Sequence, residues 1–182
     1  MTQDLRSFKV PRDFRGRSNI VVQLWRLVHP TLFRFSPRIF DAWRRFLLRL
    51  FGARIGKGVI IRPSVKILYP WNLEISDWSW IGEYVTLYNM AMVTIGDNTV
   101  ISQHSYICAG NHDYTKTSFD IFSEPIKIAG SVWIAADVFV APGVSIQENA
   151  VVTARSTVKT DLPGDMICEG NPARPIQPRR KE

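Results

Sequence analysis

The feature that most constrains this chain is an aliphatic residue that recurs every six positions. We call these residues the anchors, and they are Ile55, Ile61, Ile67, Ile75, Ile81, Leu87, Ile95, Ile101, Ile107, Ile128, Ile134, Val140, Ile146, Val152 and Val158. A helix, with its period of 3.6, does not produce this spacing. A strand of period two accommodates it only if a corner interrupts the strand once in every six residues. The pattern therefore predicts an all-β solenoid of hexapeptide repeats.

A second position in the repeat supports this interpretation. Four residues after most anchors stands a small or β-branched residue, as at Val59, Ser79 and Thr99. In the predicted solenoid each anchor points inward, and the small residue lies where a corner leaves little room. Three faces close one coil, and successive coils stack about 4.8 Å apart, as neighbouring strands do.

The interruptions of the repeat indicate where each coil closes. The spacing is eight residues from Ile67 to Ile75 and from Leu87 to Ile95, each time after three anchors have passed. The interval from Ile107 to Ile128 is much longer and predicts one long loop excursion at residues 113–124. Long insertions in repeat proteins often form the binding face. We therefore expect a solenoid over residues 53–160.

The two ends of the chain differ from the repeat. Residues 1–52 include a segment with Ile39, Phe40, Trp43, Phe46, Leu47 and Leu50 at helical spacing, while Arg38, Arg44, Arg45 and Arg49 fill much of the remainder. This predicts an N-terminal amphipathic helical cap with a basic face, ending near Gly52. The cap would cover the open end of the solenoid, and the alternative is that it also touches an anionic membrane surface. Residues 161–182 form a basic C-terminal tail.

Composition narrows the possible partners and the compartment. The chain has 23 Lys and Arg against 16 Asp and Glu, a net charge of +7, which favours anionic partners. Nucleic acid is disfavoured because no binding motif accompanies the charge. Two cysteines, Cys108 and Cys168, suit free thiols in a reducing compartment. Residues 1–19 lack a signal peptide and no stretch has the roughly 20 apolar residues of a membrane span, so we expect a cytoplasmic protein.

The ordered motifs resemble a known family. These are F-G-A-R-I-G, Y-P-W-N-L-E-I, I-S-Q-H-S-Y-I-C-A-G-N-H-D-Y, P-I-K-I, W-I-A-A-D-V-F-V-A-P-G-V and G-N-P-A-R, which together span nearly the whole chain. They are similar to the left-handed β-helix acyltransferases, in particular the sugar O-acetyltransferases of colanic acid and exopolysaccharide biosynthesis. The resemblance implies a left-handed parallel β-helix, acetyl-CoA as co-substrate, and a homotrimer with active sites between neighbouring subunits.

The resemblance also implies roles for particular residues. His112, in the G-N-H-D stretch, matches the catalytic histidine of the family, and Asn89 matches a coil position near the acceptor pocket. Asn89 could instead satisfy a coil corner, and Asp113 could either orient His112 or cap the turn that begins the loop. The expected CoA-binding residues are Trp133, Ala135, Ala136, Ala154, Arg155, Lys159 and Arg174. Small residues would admit the pantetheine arm, and cations would meet the phosphates of CoA.

The chemistry of O-acetylation suits a histidine. A sugar hydroxyl becomes a competent nucleophile when a base removes its proton during attack on the thioester, and neutral imidazole is such a base near neutral pH. Of the three histidines, His29 lies outside the repeat and His104 lies mid-hexad, whereas His112 begins the excursion. Cys108, four residues earlier, is interpreted as a small buried side chain rather than a nucleophile.

The predicted function is therefore an acetyl-CoA-dependent O-acetyltransferase acting on a sugar, nucleotide-sugar or lipid-linked saccharide in exopolysaccharide or lipopolysaccharide biosynthesis. Direct transfer in a ternary complex is expected. The alternatives are a non-polysaccharide small-molecule acceptor, a non-catalytic scaffold, and a metal solenoid like the γ-class carbonic anhydrases. The last needs three converging histidines, and with His29 outside the repeat no metal is expected.

Overall fold

The structure is a computed structural model that describes residues 3–11 and 14–180. Short strands dominate the described residues. The helices are α1 (Asn19–Val28) and α2 (Asp41–Leu50), with a π-helical turn at His29–Phe33 and 3₁₀ turns at Leu5–Ser7 and Pro70–Asn72. The strands are β1 (Arg54–Ile55), β2 (Ile60–Ile61), β3 (Lys66–Ile67), β4 (Leu73–Ile75), β5 (Trp80–Ile81), β6 (Thr86–Tyr88), β7 (Val93–Ile95), β8 (Val100–Ile101), β9 (Tyr106–Cys108), β10 (Gly110–His112), β11 (Ile121–Ser123), β12 (Ile126–Ile128), β13 (Trp133–Ile134), β14 (Phe139–Val140), β15 (Ser145–Ile146), β16 (Val151–Val152), β17 (Thr157–Val158), β18 (Met166–Gly170) and β19 (Ala173–Pro178).

These strands build a three-sided solenoid of five coils and part of a sixth. Face A is the parallel sheet β1-β4-β7-β12-β15, face B contains β2-β5-β8-β13-β16-β18, and face C is β3-β6-β9-β14-β17. Each anchor pairs with the anchor of the next coil, as Ile55 does with Ile75 and Ile75 with Ile95. Every anchor is buried, so the inward ladders predicted from the period of six are confirmed.

The corners of the solenoid require left-handed backbone. The residue three positions after an anchor has a positive φ at many corners, and non-glycine residues stand there at Trp78, Tyr84, Asn98, His104, Ser131, Asp137, Asn149 and Arg155. This conformation is unfavourable for side chains with a Cβ, so the surrounding coils must impose it. At Gly58 the same corner position has no room for a side chain, because an added Cβ would lie 2.1 Å from the Trp78 ring. Corner residues of successive coils consequently stack in rows along the solenoid.

The long excursion leaves the solenoid between faces C and A. Strands β10 and β11 pair in antiparallel fashion, with His112 opposite Ile121 and Gly110 opposite Ser123. The excursion therefore begins at residue 110, three residues before the loop expected at 113–124. The physical reason is that a hairpin needs two paired strands, so residues 110–112 leave the wall together with their partners.

The inner side of the N-terminal cap combines hydrogen-bond donors with the buried apolar residues Val22, Phe33, Leu47 and Leu48. Backbone N–H groups of one coil donate to carbonyls of the next, as Ile60 N–H does to Ser79 O. Strand carbonyls of the first coil, such as Ile61 O, have no preceding coil to donate to them. Three arginines of α2 donate to carbonyls of this coil: Arg44 donates to Ile61 O, Arg45 donates to Val59 O, and Arg49 donates to Ile55 O. We call the side chains that donate to the first coil the donor row.

Helix α1 continues the same row of donors. Trp25 Nε1 donates to Ile67 O over 2.9 Å, and His29 Nε2 lies 3.0 Å from Val65 O. A sheet edge with free carbonyls invites unwanted pairing, and side chains that only donate are suited to close it. These donors share the inner side of the cap with buried Val22, Leu47 and Leu48, whereas the apolar residues Ile39, Phe46 and Leu50 are exposed.

The other end is closed by the C-terminal hairpin, in which β18 pairs with β16 in parallel and with β19 in antiparallel fashion. Within residues 3–11 and 14–180, every helix is too short or too polar to cross a bilayer.

Candidate active site

The site is built around His112, the last residue of β10. Its Nδ1 lies 2.9 Å from the backbone carbonyl oxygen of Phe119, across the hairpin. Because a carbonyl can only accept, this contact assigns the proton of the neutral ring to Nδ1 and leaves the lone pair on Nε2. The ring also stacks on Phe119, with centroids 4.2 Å apart and planes 7° apart. The imidazole is thus held in one orientation with a basic nitrogen free.

The hairpin and the N-terminal arm enclose a cleft beside His112. The cleft has a volume of about 650 Å³, and Lys9 and Pro11 of the arm line it together with residues of both hairpin strands. The arm is attached to the hairpin by a hydrogen bond from Asp4 N–H to Thr117 O, and the Phe8 ring lies 5.7 Å from the His112 ring. A ligand of sugar size fits such a space.

Asp113 caps the turn at the hairpin tip, which is the second of its two expected roles. Its carboxylate accepts from the backbone N–H of Thr115 over 3.0 Å and from the Thr115 hydroxyl. These hydrogen bonds hold the pKa of Asp113 below its ordinary value. Since Nδ1 of His112 contacts Phe119 O, the orientation of the imidazole comes from a backbone carbonyl rather than from Asp113.

Asn89 is a structural residue of a coil corner, so the expectation that it binds acceptor is not supported by its geometry. It is fully buried. Its side-chain oxygen accepts from the N–H groups of Leu68 and Tyr69, and its amide nitrogen donates to Tyr69 O and Asn72 O. The four hydrogen bonds use the whole capacity of the amide, and no polar atom remains for an acceptor.

Some of the expected CoA-binding residues lie together at the corner between faces B and C, which we call the B–C corner. Ala136, Ala154 and Arg155 line a shallow pocket of about 390 Å³ there, together with His104. Ala135 is buried beside them, and the exposed Trp133 on face B donates from Nε1 to Ser102 Oγ. Arg155 projects into solvent and its Nε lies 3.7 Å from an Asp137 carboxylate oxygen.

The remaining expected CoA-binding residues lie at the corner between faces C and A, which we call the C–A corner. Lys159 follows β17 on face C and is exposed, while Arg174 donates to the hydroxyl of the adjacent Thr160. His112 also rises from the C–A corner, two coils earlier. The fold of one chain therefore separates His112, Lys159 and Arg174 from Trp133, Ala136 and Arg155.

Cys108 precedes the hairpin on the outer side of face C. Its sulfur lies 3.1 Å from Gly110 O, and burial raises the pKa of the thiol. A raised pKa lowers the thiolate fraction at neutral pH, which is unfavourable for a nucleophile. Both cysteines are free thiols.

The other two histidines have different surroundings. His29 contacts the first-coil edge, and burial lowers its pKa. His104 is exposed at the B–C corner and stacks on Tyr84 with ring centroids 5.1 Å apart. In the described part of the chain no three His, Cys, Asp or Glu side chains are grouped as metal ligands.

Sequence reasoning missed three features of this site. The Phe119 carbonyl is a backbone group, and its position depends on a left-handed φ of 52° that no motif indicates. Phe8 and Lys9 belong to an arm without periodicity, and only the folded structure brings them to His112. The aromatic side chain at position 119, facing the histidine across the hairpin, was the available signal.

Comparison with known proteins places this geometry in a family, although no protein-family model matches the chain. The chain is 53% identical over 177 residues to the "Putative colanic acid biosynthesis acetyltransferase WcaF" of Escherichia coli K12, covering 97% of both proteins. It superposes on a hexapeptide-repeat acetyltransferase of Vibrio cholerae complexed with acetyl coenzyme A, with a TM-score of 0.81, 25% identity, and coverage of 91% of this chain and 92% of that one.

A galactoside acetyltransferase in complex with coenzyme A has the same fold, with a TM-score of 0.83 and 24% identity over 97% of this chain and 89% of that one. These likenesses confirm the left-handed parallel β-helix expected from the sequence. Given the identity over nearly the full length of both proteins, the chain belongs to the colanic acid biosynthesis acetyltransferases, a family of hexapeptide-repeat, acetyl-CoA-dependent acyltransferases.

Proposed function

We propose that this protein transfers the acetyl group of acetyl-CoA to a hydroxyl of a sugar or sugar-linked intermediate in colanic-acid-like exopolysaccharide or lipopolysaccharide biosynthesis, with His112 as the general base. The observation that carries the proposal is the 2.9 Å contact between His112 Nδ1 and Phe119 O, which leaves Nε2 able to accept a proton. The names of the relatives support the reaction class and the pathway.

In this mechanism both substrates are bound at once and no acyl-enzyme forms. His112 Nε2 removes the proton of the acceptor hydroxyl as its oxygen attacks the thioester carbonyl carbon. The tetrahedral intermediate then breaks its C–S bond, and the imidazolium returns the proton to the sulfur of the departing CoA. The Phe119 carbonyl favours this cycle because it accepts a hydrogen bond from Nδ1–H in both protonation states of the ring.

We also propose that the complete site forms between subunits of a homotrimer. Within one chain, His112 and Lys159 lie at the C–A corner, whereas Ala136 and Arg155 lie at the B–C corner. A neighbouring copy that presents its B–C corner to the C–A corner of the first would unite these groups. We expect the enzyme to act in the cytoplasm, which the two free cysteines favour.

The acceptor class follows from relatives rather than from the geometry. A solved N-acyltransferase from Bacillus cereus, with a TM-score of 0.63, is in complex with dTDP-4-amino-4,6-dideoxyglucose and coenzyme A. It supports nucleotide-linked sugars as one class to test, beside lipid-linked saccharides and free sugars. A non-polysaccharide acceptor is the alternative outcome of the same test.

The test measures CoA release from acetyl-CoA with a panel of these acceptors. His112→Ala should lower kcat by about 10²- to 10⁴-fold, the range that a general base supplies. The matched control is Gln147→Ala, an exposed residue at the corner between faces A and B, which should leave kcat unchanged. Acceptor-dependent release that survives in His112→Ala would remove His112 from the mechanism.

The subunit arrangement has a separate test. His112→Ala and Arg155→Ala should each be impaired alone, the second through a raised KM for acetyl-CoA. Mixed trimers reassembled from equal amounts of both should regain about a quarter of wild-type activity, because one site in four then pairs an intact His112 with an intact Arg155 from the next subunit. No recovery in mixed trimers would contradict a shared site.

A further inference from the structure

We propose that the outer surface of the N-terminal cap docks on an anionic lipid bilayer. This inference concerns a surface away from the catalytic histidine, and it does not rest on the proposed acetyl transfer. The inner side of the cap is occupied by donors to the first-coil carbonyls, such as Trp25 and Arg44, and by part of its apolar residues, while the other large apolar residues lie outside.

The outer face of the cap is apolar along both helices. In α1, Ile20, Leu24 and Leu27 are exposed and recur at the spacing of one helix face, opposite Trp25. In α2, Trp43, Phe46 and Leu50 do the same, opposite the buried Arg44. Both stripes therefore point away from the solenoid, at the same end of the molecule.

The connection between the helices makes this surface continuous. Phe35 and Ile39 are each 83% exposed, although both are large apolar residues. Trp43 Nε1 donates to Leu32 O over 3.0 Å, which ties α2 to the turn after α1. Between them lies a groove of about 430 Å³ lined by Leu32, Phe35, Phe40 and Trp43 among others. An apolar surface of this extent marks an interaction site in a protein that is otherwise well packed.

The charge around this surface selects the partner. Arg26, Arg34 and Arg38 are exposed at its rim, and none of them forms an ion pair with a carboxylate of a described residue. Residues 14–52 contain a single acid, Asp41, and Arg44 already binds it. Amphipathic surfaces of Leu, Phe and Trp with flanking arginines partition into the headgroup region of anionic membranes.

A second copy of the chain is a less suitable occupant. A face-to-face contact between two identical caps would bring the rim arginines of both copies together. No unpaired carboxylate in residues 14–52 is available to compensate these charges. Like charges at close range oppose such a contact, whereas phosphate headgroups would neutralise each arginine.

The experiment is co-sedimentation of the purified full chain with vesicles of equal parts phosphatidylglycerol and phosphatidylcholine, and with vesicles of phosphatidylcholine alone. Wild type should partition at least about tenfold more strongly into the anionic vesicles, and added salt should weaken the binding. Phe35→Ser combined with Ile39→Ser should reduce binding to the anionic vesicles by about tenfold or more. Arg34→Gln combined with Arg38→Gln should remove most of the preference for anionic lipid.

Matched controls are Ile176→Ser and Arg180→Gln, exposed residues of the C-terminal tail, which should bind like wild type. Oligomer mass by light scattering and CoA release with a water-soluble acceptor are measured on every variant and should not change. The proposal would be overturned if the wild-type protein bound neither kind of vesicle. A loss of oligomer mass in Phe35→Ser/Ile39→Ser with vesicle binding intact would also overturn it, because that result would assign the surface to contact between copies.

Discussion

The coils and the N-terminal cap both bury one side of a patterned segment, but only the cap adds a row of hydrogen-bond donors to its buried side. In the coils the anchors point inward and form an aliphatic interior. In the cap the inner side also carries the donors Trp25, His29, Arg44, Arg45 and Arg49 beside buried Leu47 and Leu48, and further large apolar residues face outward. The difference arises from what lies beneath. Inside the solenoid the strand backbone of one coil pairs with that of the next, whereas the first coil presents a row of strand carbonyls that require donors.

Replacing the central donor of the cap is the strongest test of this contrast. Arg44→Leu has a side chain that would suit an ordinary apolar interface, but it removes hydrogen bonds to Ile61 O, Pro37 O and Arg38 O. Because buried carbonyls left without donors cost about 1–3 kcal/mol each, with partial rescue by water, we expect a loss of about 3–5 kcal/mol in the free energy of unfolding. Urea unfolding followed by circular dichroism measures it.

The control for this prediction is Arg26→Leu, an exposed arginine of α1, which should stay within about 0.5 kcal/mol of wild type. Arg44→Leu at or above wild-type stability would mean that the cap behaves as an ordinary apolar lid.

Asn89 offers a smaller effect within the coils, because it is a fully buried polar residue whose four hydrogen bonds go to backbone groups. Asn89→Leu removes the partners of Leu68 N–H, Tyr69 N–H, Tyr69 O and Asn72 O. We expect a loss of about 2–4 kcal/mol, since a Leu of similar size replaces part of the packing and the corner can relax. Denaturant unfolding gives the stability, and the KM for the acceptor is measured on the same sample.

The two readouts distinguish the two roles considered for this residue. A corner residue lowers stability and leaves the acceptor KM of the folded enzyme unchanged. Wild-type stability with a raised acceptor KM would instead restore Asn89 to the acceptor site.

The same contrast explains how much could be predicted from the sequence. The period of six predicted the burial of every anchor because side-chain hydrophobicity reports directly on an apolar interior. The amphipathic pattern of residues 39–50 predicted a helix with two faces, but hydrophobicity does not reveal that the surface beneath is a row of carbonyls. The sequence therefore did not indicate that Arg44 donates to a backbone carbonyl, since a backbone edge has no signature in the side chains that approach it.

In the candidate site, too, the position of a side chain was easier to predict than its backbone partner. His112 lies where the excursion leaves the solenoid, as its position in the G-N-H-D stretch predicted. Its partner is the carbonyl of Phe119, and the residues expected to orient it or to bind acceptor, Asp113 and Asn89, are occupied by backbone groups of their own turns. The contacts of Asp113 and Asn89 were among the alternatives that the sequence left open, whereas spacing and motif did not predict the contact of His112 with the Phe119 carbonyl.

The smallest effect that tests the cap is the titration of His29. Burial lowers the pKa of this histidine in the folded state below its ordinary value of 6.5, while its Nε2 lies 3.0 Å from Val65 O. The unfolded chain therefore binds a proton more readily than the folded one. By linkage, the stabilisation is fully present above pH 6.5 and is lost as the pH falls below that value towards the folded-state pKa. We expect the melting temperature to decline over this range more steeply than in a variant without the histidine.

His29→Gln supplies that comparison, because a glutamine amide can still donate to the carbonyl of Val65 but does not titrate. At neutral pH we expect a loss of no more than about 1 kcal/mol, the net value of one hydrogen bond. Below pH 6.5 the difference between the two proteins should shrink. Gln147→Ala, which replaces an exposed residue without a titratable group, should not change the slope. Parallel pH profiles for wild type and His29→Gln would show that His29 titrates alike in both states.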